Sequence, residues 1–489
     1  MAGISKENFL REYSRKLMEG SAALFVGAGL SQPAGYVNWM ELLNEIADDL
    51  NLEIDREHDL IALAQYHYND RNSRTKLNEK LIEEFTKNAM VTDNHKFIAK
   101  LPIHTVWTTN YDKLIEDSFK QECKQVDVKI TPESVSQFRS GTEVNVFKMH
   151  GDVSLPDKAV ITKDDYENYS QSRELFTIRL KSDLVSLTFL FLGFSFTDPN
   201  IDYILSRIRI LLQENKPTHY CIIKRPKLEN SSPEAKADYE YDLRKLELRV
   251  NDLKRFGIQT VLIDDYKEIT DILVELNRRA FLKNIFVSGS ADEGFNEFDL
   301  TRLSLFVRSL GHEIISRGYN LVSGYGKGIG SDLIVGSLES AYLTSSNIRN
   351  RLILRPFPIT VEEKRKDEVY LKWREHILSI AGFSIYIAGN KYDSVKKAIV
   401  QADGVIQEFK ITASEPFYNY PIPVGVTGYV AREIWEKVYN DLGKYYGPIN
   451  VTHELSVLNE TKSSNEELIE AIFSIIKKVR NKGINNVFL

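Results

Sequence analysis

Cysteine is almost absent from this sequence, which has 489 residues and only two cysteines, Cys123 and Cys221. Two cysteines cannot build a disulfide framework, and they cannot supply the four thiolates of a structural zinc site. No His/Asp cluster in the sequence replaces them as a metal-binding motif. We therefore expect no metal cofactor. Such sparing use of cysteine is typical of a protein that works in a reducing cytoplasm.

Long apolar runs and an excess of positive charge are also missing. No apolar segment approaches the roughly 18–20 residues that span a bilayer, and the first residues lack the apolar core of a secretory signal. The chain carries 63 Lys and Arg against 69 Asp and Glu, a formal net charge of −6. This balance disfavours a nucleic-acid binder that relies on phosphate contacts. We expect neither a membrane nor a nucleic acid as a partner.

The alternation of strand, loop and helix starts twice along the chain. Apolar runs over Ala22–Val26 and Ile285–Val287 each lead into a glycine-rich turn, the second being Ser288-Gly289-Ser290. Such runs are typical of buried parallel strands. At roughly 100–200 residues per domain, the length suits two or three domains. The pattern predicts an α/β protein of two Rossmann-like doubly wound parallel-sheet domains in tandem, over residues 1–282 and 283–489.

Further strand candidates fill both halves. In the first half they are HTVWTT, VNVFKMHG, TFLFLGFS, THYCIIK and IQTVLIDD. In the second half they are YNLVSG, RLILRP, FSIYIAG, GVIQEF and YPIPVGVTG. The last helix is predicted to begin at Ser464, because Ser464-Asn465-Glu466-Glu467 has the pattern of a capping box.

Four polar or glycine-rich segments follow predicted strands of the first half. They are Gly27–Ser31, Thr108–Asp112, Met149–Asp152 and Gly193–Asn200. Ligands bind at the carboxyl ends of the strands in open α/β sheets. A glycine turn followed by a helix also lets backbone N–H groups approach a diphosphate. Each segment alone has an ordinary explanation as a turn or a helix cap, but the four in this order favour one dinucleotide site.

This succession resembles the sirtuin family, whose members carry a Gly-Ala-Gly-x-Ser loop, an Asn–Asp loop, a His-Gly pair and a Gly-x-Ser segment around NAD. The resemblance covers about residues 10–282. It implies that the residues holding the diphosphate are Gly27, Ala28, Gly29 and Ser31. It implies that Asn110 and Asp112 line the nicotinamide-ribose pocket, and that Gly193 and Ser195 lie near the adenosine half.

The resemblance implies that Asn110 and His150 are the catalytic residues. Asparagine offers both a donor and an acceptor, so it can orient a water molecule or the nicotinamide carboxamide. The resemblance implies that His150 contacts the ribose hydroxyls as a general base, and an imidazole can accept a proton near neutral pH.

The sequence departs from the sirtuin deacylases at their zinc site. Those enzymes carry two Cys-x-x-Cys pairs that support the acyl-peptide cleft, and Cys123 and Cys221 cannot replace them. Without an acyl-lysine to capture the oxocarbenium-like ribose, water is the expected nucleophile. The predicted reaction is therefore hydrolysis of NAD+ to ADP-ribose and nicotinamide. A sirtuin-type protein deacylase or ADP-ribosyltransferase, and a nucleotide-binding protein without catalysis, remain alternatives.

The second half also has glycine-rich loops that are suited to binding phosphate groups. Ser323–Gly330 follows a predicted strand and leads into an apolar helix, an arrangement that favours an anion cradle. Plain tight turns would explain the same glycines. The arrangement resembles the SLOG family of nucleotide sensors. The cleaving branch of that family carries a Pro-Gly-Gly-x-Gly-Thr loop that Ile387–Lys391 does not match, so the resemblance implies a binding domain without catalysis.

The expected contacts of this nucleotide signal combine small or backbone-permissive positions with four charged side chains. They are Gly289, Ser290, Gly324, Gly326, Lys327, Gly328, Arg374, Lys391, Glu408, Gly425, Thr427 and Gly428. Arg374 and Lys391 would neutralise a diphosphate, while Glu408, placed at the end of the predicted strand GVIQEF, would accept from ribose hydroxyls or a base. For any one of the three, an ordinary surface charge is an equal alternative.

A sirtuin-like half followed by a SLOG half is similar to the effectors of bacterial Thoeris anti-phage systems. That resemblance implies that a partner TIR-domain protein makes a cyclic ADP-ribose isomer during infection. It implies that the SLOG half binds this activator and that the sirtuin-like half then depletes NAD+. It also implies a homotetramer.

Overall fold

The computed structural model describes residues 3–196, 198–212, 217–228, 230, 232–296, 298–344, 348–358, 360–414 and 419–485. The chain divides into two compact units, Met1–Leu276 and Asn277–Leu489. Each unit is built on its own parallel β-sheet flanked by helices. This architecture confirms the predicted fold class.

The sheet of the first unit contains seven strands in its described residues. They are β1 (Ala22–Val26), β2 (Thr105–Thr108), β3 (Val126–Lys129), β4 (Val144–Lys148), β5 (Thr188–Leu192), β6 (His219–Lys224) and β7 (Ile258–Ile263). Their order is β3-β4-β2-β1-β5-β6-β7, and neighbouring strands run parallel. The chain leaves β1 toward β2 on one side and later returns to its other side as β5. A ligand site is therefore expected at the carboxyl ends of the strands around β1.

Thirteen α-helices alternate with these strands along the described residues. They are α1 (Lys6–Glu19), α2 (Trp39–Asp49), α3 (Leu60–Arg71), α4 (Thr75–Phe85), α5 (Asp93–Lys100), α6 (Leu114–Gln121), α7 (Pro132–Ser136), α8 (Lys163–Glu167), α9 (Tyr169–Ser172), α10 (Glu174–Ser186), α11 (Pro199–Leu212), α12 (Pro233–Arg255) and α13 (Lys267–Ala280). Many begin at a side-chain cap, such as Asn38, which forms a capping box with Glu41 at the start of α2. Buried leucines such as Leu43, Leu63 and Leu81 pack α2, α3 and α4 together.

The second unit has a five-stranded parallel sheet and a separate hairpin. Its strands are β8 (Asn284–Ser290), β9 (Asn320–Ser323), β10 (Leu352–Leu354), β11 (Phe383–Ala388), β12 (Asn390–Asp393), β13 (Ala398–Gln401) and β14 (Tyr420–Val424). The sheet order is β10-β9-β8-β11-β14, and β12 pairs with β13 in the antiparallel hairpin. The carboxyl ends of the five sheet strands therefore meet at one edge, as the sequence predicted for the glycine-rich loops.

Nine helices surround the second sheet in the described residues. They are α14 (Leu300–Ser316), α15 (Gly330–Leu343), α16 (Ile348–Arg351), α17 (Lys366–Ser379), α18 (Asp403–Thr412), α19 (Tyr429–Asn440), α20 (Leu442–Tyr446), α21 (Thr452–Val457) and α22 (Asn465–Asn485). The predicted capping box of α22 is confirmed, because Ser464 and Glu467 each accept a hydrogen bond from the other's backbone N–H.

Four features of the fold differ from the sequence prediction. The segment GVIQEF is not a strand but lies in α18, where the buried residues Val405, Glu408, Phe409 and Thr412 follow the spacing of one helix face. Strand β3 and the hairpin β12–β13 were not predicted, because both are short and only half buried. β8 extends through Ser290, so the glycine-rich turn expected there belongs to the strand itself.

Across the described residues, we find no helix that is both long and apolar enough to cross a membrane.

Candidate functional site

The glycine loops after β1 and β5 are pressed against each other in the first unit. The backbone N–H of Gly29 donates to the carbonyl of Gly193 at 3.0 Å. A Cβ on Gly27 would collide with that same carbonyl, and a Cβ on Gly193 would collide with the backbone nitrogen of Leu30. Gly193 also has a φ of 61°, which L side chains rarely adopt. The glycines at these positions therefore permit direct packing of one loop on the other.

The predicted helix directly after this loop is not formed, which corrects the sequence interpretation. The loop continues through two short 3₁₀ turns, Ala28–Leu30 and Gln32–Ala34, and α2 begins only at Trp39. Pro33 and the left-handed Gly35, whose φ is 98°, explain why no α-helix starts at once. The backbone N–H groups of Leu30 and other loop residues bond within the protein, so no helix N-terminus faces the loop here.

Asn110 links the loops that follow β1 and β2. Its Nδ2 donates to the Ser31 hydroxyl at 3.1 Å and to the Gly27 carbonyl at 3.2 Å. Its backbone N–H donates to Thr108 Oγ1 at 3.0 Å. The side chain is buried, and its Oδ1 has no hydrogen-bond partner within the described part of the chain. A buried acceptor of this kind is uncommon unless a ligand or water completes it.

Asp112 presents a second unpaired oxygen close by. Its Oδ1 accepts the backbone N–H of Leu114, the first residue of α6, at 3.0 Å. Its Oδ2 is buried and lacks a hydrogen-bond partner among the residues described. The predicted site residues Ala28, Ser31, Asn110 and Asp112 all line one small cavity. Its enclosed volume of about 30 Å³ is that of a water molecule rather than of a whole ligand.

Aromatic and aliphatic side chains close the other walls of this cavity. Its lining also includes Tyr36, Trp39, Leu42 and Phe85. These residues belong to or adjoin α2 and α4, so the packing of the helical cluster shapes the site. His150 is not part of this lining.

Lys148, at the end of β4, is a site residue that the sequence analysis missed. It is fully buried, and its Nζ donates to the backbone carbonyls of Tyr111, at 3.3 Å, and Asp112. The same ammonium contacts the carboxylates of Glu116, at 3.2 Å, and Asp152. Burial would lower the pKa of Lys148, but the surrounding carboxylates outweigh it and raise the pKa. A charged lysine therefore ties the loop of Asn110 and Asp112 to the loop that follows His150.

His150 is joined to Asp198, another residue to which the sequence analysis gave no role. The His150 Nε2 lies 3.1 Å from Asp198 Oδ2, and both side chains are more than nine-tenths buried. The two groups are at ion-pair distance without the alignment of a hydrogen bond, so Nε2 has no hydrogen-bond partner among the described residues. Asp198 directly precedes α11, where an aspartate commonly caps a helix. That Asp-Pro-Asn signal was readable in the sequence, but its pairing with a histidine more than 40 residues away was not.

Gly193 and Ser195 lie in the loop between β5 and α11. The Ser195 backbone carbonyl accepts a hydrogen bond from the Arg249 guanidinium on α12. The neighbouring Phe194 ring packs against Phe25 with 4.8 Å between centroids. The loop is thus held on the aromatic core of the sheet. No contact of Ser195 with the cavity is observed among the described residues.

In the second unit, Arg374 and Glu408 form a buried pair beneath the loops. Arg374 Nε lies 3.9 Å from Glu408 Oε1, which is too long for a hydrogen bond, and Nε has no other partner in the described residues. Glu408 Oε2 accepts from the Ser288 hydroxyl at 2.5 Å. Burial raises the pKa of Glu408 to about 7, although Ser288 and Arg374 both act to lower it.

Lys391 and Lys327 are more exposed than this pair. Lys391 Nζ lies 2.9 Å from Asp403 Oδ2, at the start of α18. A Cβ on the next residue, Gly404, would stand 3.3 Å from a terminal nitrogen of Arg374. The structure therefore gathers Arg374, Lys391 and Glu408 around α18. Lys327 instead pairs with Asp292, its Nζ lying 2.8 Å from Oδ1.

The predicted glycines of the second unit pack tightly against protein atoms. A Cβ on Gly289 would meet the Ile387 carbonyl, and one on Gly326 would meet the Gly289 carbonyl. A Cβ would also lie less than 3.0 Å from a neighbouring atom at Gly324, Gly328, Gly425 and Gly428.

Two hydroxyl side chains at this edge of the sheet form hydrogen bonds with the protein backbone. The Ser290 hydroxyl donates to the Asn390 carbonyl at 2.9 Å, and Thr427 Oγ1 accepts the Ala388 N–H at 2.8 Å. These contacts hold the loops at the carboxyl edge of the sheet close together.

Neither unit shows a metal centre in its described residues: no group of three or more His, Cys, Asp and Glu side chains is arranged to hold a metal ion. Cys123 and Cys221 are both free thiols.

Two family models match the chain. The model described as a SIR2-like domain matches residues 104–246, and the model described as the Sir2- and TIR-associating SLOG family matches residues 268–479. Whole-chain relatives named NAD(+) hydrolase ThsA are also found. The one from Bacillus cereus (strain MSX-D12) is 42% identical over 97% of this chain and 98% of its own length. The one from Acinetobacter baumannii (strain 532279) is 42% identical over 95% and 97%, and the one from Enterococcus faecium is 38% identical over 98% and 100%.

Proposed function

This chain belongs to the ThsA family of NAD(+) hydrolases, and we propose that Asn110 and His150 carry its chemistry while the second unit switches that chemistry on. NAD+ is its substrate. The products are ADP-ribose and nicotinamide. The reaction needs a group that holds the nicotinamide end, a nucleophilic water, and an acceptor for the water's proton.

The observation that supports the role of Asn110 is the pair of unpartnered oxygens in one cavity. Asn110 Oδ1 and Asp112 Oδ2 are both buried without a hydrogen-bond partner in the described residues, and both residues line the same cavity. The nicotinamide carboxamide carries two N–H donors, which suits two buried acceptors. Hydrogen bonds from the carboxamide would therefore hold the leaving group at this place.

The proposed reaction breaks the bond between the ribose carbon and the nicotinamide nitrogen. The bonding electron pair leaves with nicotinamide, which becomes neutral. The ribose carbon, which is oxocarbenium-like at that point, gains a bond to the water oxygen. The proton of that water passes to a base, for which His150 is the proposed acceptor, either directly or through a ribose hydroxyl.

The test is nicotinamide release from NAD+ by the full-length chain. Asn110→Ala and His150→Ala are each expected to lower the rate at least ~10²-fold, the usual contribution of a positioned acid–base group. An unchanged rate in either variant removes that residue from the mechanism. The same assay decides against a protein deacylase, because hydrolysis proceeds without any acylated peptide whereas a deacylase requires one.

The second part of the proposal is that a cyclic ADP-ribose isomer, bound by the second unit, activates the enzyme. Such a ligand carries two phosphate charges, which suit Arg374 of α17 and Lys391 of β12, both close to the start of α18. The buried Arg374 Nε without a hydrogen-bond partner in the described residues supports this, because a ligand oxygen would complete it. A shift from 1:99 to 99:1 between idle and active forms needs about 5.5 kcal/mol of differential affinity.

An NAD+ consumption assay with a panel of cyclic ADP-ribose isomers tests this activation. Arg374→Ala is expected to abolish the response to the activating isomer and to leave the unstimulated rate unchanged. Arg317→Ala is the matched control, because Arg317 follows the end of α14, at the opposite edge of the sheet, and pairs with Glu313 and Glu470. A full response in Arg374→Ala contradicts the assignment.

We also propose that the activator comes from a TIR-domain protein and that the enzyme works as a homotetramer in anti-phage defence. The description of the matched family as Sir2- and TIR-associating supports the first point. Light scattering of the purified chain, with and without the isomer, measures the assembly.

A further inference from the structure

His150 and Asp198 meet although they follow different strands of the sheet. His150 comes after β4 and Asp198 after β5, and β2 and β1 lie between those strands. Three strand spacings separate β4 from β5, roughly 14 Å. The two loops nevertheless bring Nε2 and Oδ2 to 3.1 Å. The pair therefore spans the carboxyl ends of β2 and β1, from which Asn110 and the glycine loop arise.

Asp198 is itself held rigidly. Its Oδ1 accepts the backbone N–H groups of Asn200 and Ile201, both at 3.0 Å, at the start of α11. This leaves Oδ2 to face His150. Burial would raise the pKa of Asp198, but the contact with His150 and the two backbone N–H groups outweigh it, so the pKa lies below its ordinary value. Asp198 is therefore an anion at neutral pH.

Two tyrosine rings confine the imidazole on other sides. Tyr166 and Tyr169 meet the His150 ring edge to face, with centroids 5.4 and 6.2 Å away. Burial raises the pKa of both tyrosines, and also that of Tyr111, on which the charge of Asp198 acts as well. All three are neutral near pH 7. Among the described residues that face the ring, Asp198 therefore supplies the negative charge.

We propose that Asp198 is a positioning residue for NAD+ hydrolysis, which fixes the orientation and tautomer of His150 and stabilises its protonated form. An ionised carboxylate only accepts hydrogen bonds, so Asp198 at 3.1 Å favours the tautomer with the hydrogen on Nε2, although the two groups are not aligned as a hydrogen bond in this structure. Neutral His150 then has its proton on Nε2 and its lone pair on Nδ1. The proton from water or a ribose hydroxyl arrives at Nδ1, and the resulting imidazolium is balanced by Asp198.

This inference rests on the proposed role of His150 as base. Asp198 then sets which nitrogen of His150 acts, and the Asp-Pro-Asn segment has a role beyond that of a helix cap.

Two variants of Asp198 separate its charge from its capping role. Asparagine and serine cap helices about as well as aspartate, so Asp198→Asn and Asp198→Ser are expected to fold with α11 intact. Both lose the negative charge that faces His150. For NAD+ hydrolysis by the full-length chain, without and with added cyclic ADP-ribose isomers, we expect kcat to fall at least ~10-fold while KM changes less than about threefold.

The pH dependence of kcat is the readout that a merely structural role would not move. Without Asp198 the imidazolium loses its counter-charge and releases its proton more readily. The acid limb of the profile is therefore expected to move to lower pH, by about one unit or more. Asp183→Asn is the control, since Asp183 is an equally buried carboxylate that accepts from Trp107 Nε1 at 3.0 Å and pairs with Arg179. It should lower the melting temperature without moving the limb.

A double substitution shows whether Asp198 acts through His150. In a His150→Ala background, Asp198→Asn is expected to cause no further loss of rate. An additional loss there, or an unmoved acid limb with unchanged kcat in the single variants, overturns the inference. A fully active His150→Ala variant instead overturns the base assignment on which the inference rests, and the two failures are thus distinguished.

Discussion

The amide of Asn110 donates to the hydroxyl of Ser31 at 3.1 Å, and this contact joins the loops that follow β1 and β2. The same amide nitrogen also reaches the carbonyl of Gly27. Because both partners accept hydrogen bonds, the nitrogen side of the amide is fixed toward the glycine loop. The oxygen side is then the one left for a substrate donor.

Asn110→Asp tests this orientation with almost no change in shape. A carboxylate cannot donate to Ser31 or Gly27, and it repels the Gly27 carbonyl. We expect nicotinamide release to fall about 10²-fold. Ser31→Ala, which removes one of the two acceptors, should cost much less. A wild-type rate in Asn110→Asp would contradict the fixed amide.

Gly193→Ala tests the packing of the two glycine loops. The new Cβ would collide with the Leu30 backbone nitrogen, in addition to the strain of a positive φ. Gly20→Ala is the matched control, because Gly20 has a φ of 70° and no atom within 4 Å of its Cβ position. The strain of a left-handed backbone alone costs about 1–2 kcal/mol. We expect Gly193→Ala to lose clearly more stability in thermal unfolding than the control, and also to lose activity. Equal losses would show that the loop contact is unimportant.

Much of the fold was predictable from the sequence because it depends on local patterns. The strand Ala22–Val26 and its glycine loop combine an uninterrupted apolar run with a turn, and both are found where predicted. GVIQEF was assigned wrongly because a run of six residues does not separate a strand from a helix by periodicity. Only the burial of Glu408 with Val405 and Phe409 reveals the helix face.

The contacts of the candidate site were harder to predict. Lys148 reads as the last residue of a strand, and its burial follows from Glu116 and Asp152 reaching it in the folded chain. The roles given to Asn110 and His150 stay predictions until activity is measured. What the sequence could not supply were tertiary pairings such as Lys148 with Glu116 and Asn110 with Ser31, since separations of 32 and 79 residues leave no periodic trace.

Lys148→Met is predicted to destabilise the first unit strongly. Methionine fills a similar volume, but it leaves the buried carboxylates of Glu116 and Asp152 without their cation. Breaking one side of a buried ion pair typically costs about 3–5 kcal/mol. Chemical unfolding of the full chain measures the loss, and Lys120→Met provides the control, since Lys120 pairs with Asp117 on an exposed helix face. A loss as small as that of the control would mean that the buried charges are not coupled.

Glu408→Gln is predicted to remove a pH dependence from the second unit. The pKa of Glu408 is raised from 4.5 to about 7 by burial. An acid whose pKa is raised by folding stabilises the folded state at low pH, and this contribution is lost as pH rises through the folded pKa. Between pH 5 and pH 8 the wild-type unit should therefore lose up to about 3 kcal/mol relative to the variant.

Hydrogen exchange at the amides of β8 and α18 in the full chain measures this difference where it arises. The variant and the wild type are compared at each pH, so the intrinsic pH dependence of exchange cancels. The substitution also removes a counter-charge of Arg374, which changes the stability of the variant at every pH. Only the slope of the unfolding free energy against pH therefore reports the titration of Glu408. Glu339→Gln is the control. Glu339 is exposed and pairs with Arg308, so the pKa of Glu339 is lowered rather than raised. Parallel pH curves for wild type and Glu408→Gln would mean that Glu408 is already ionised in the folded unit at pH 5.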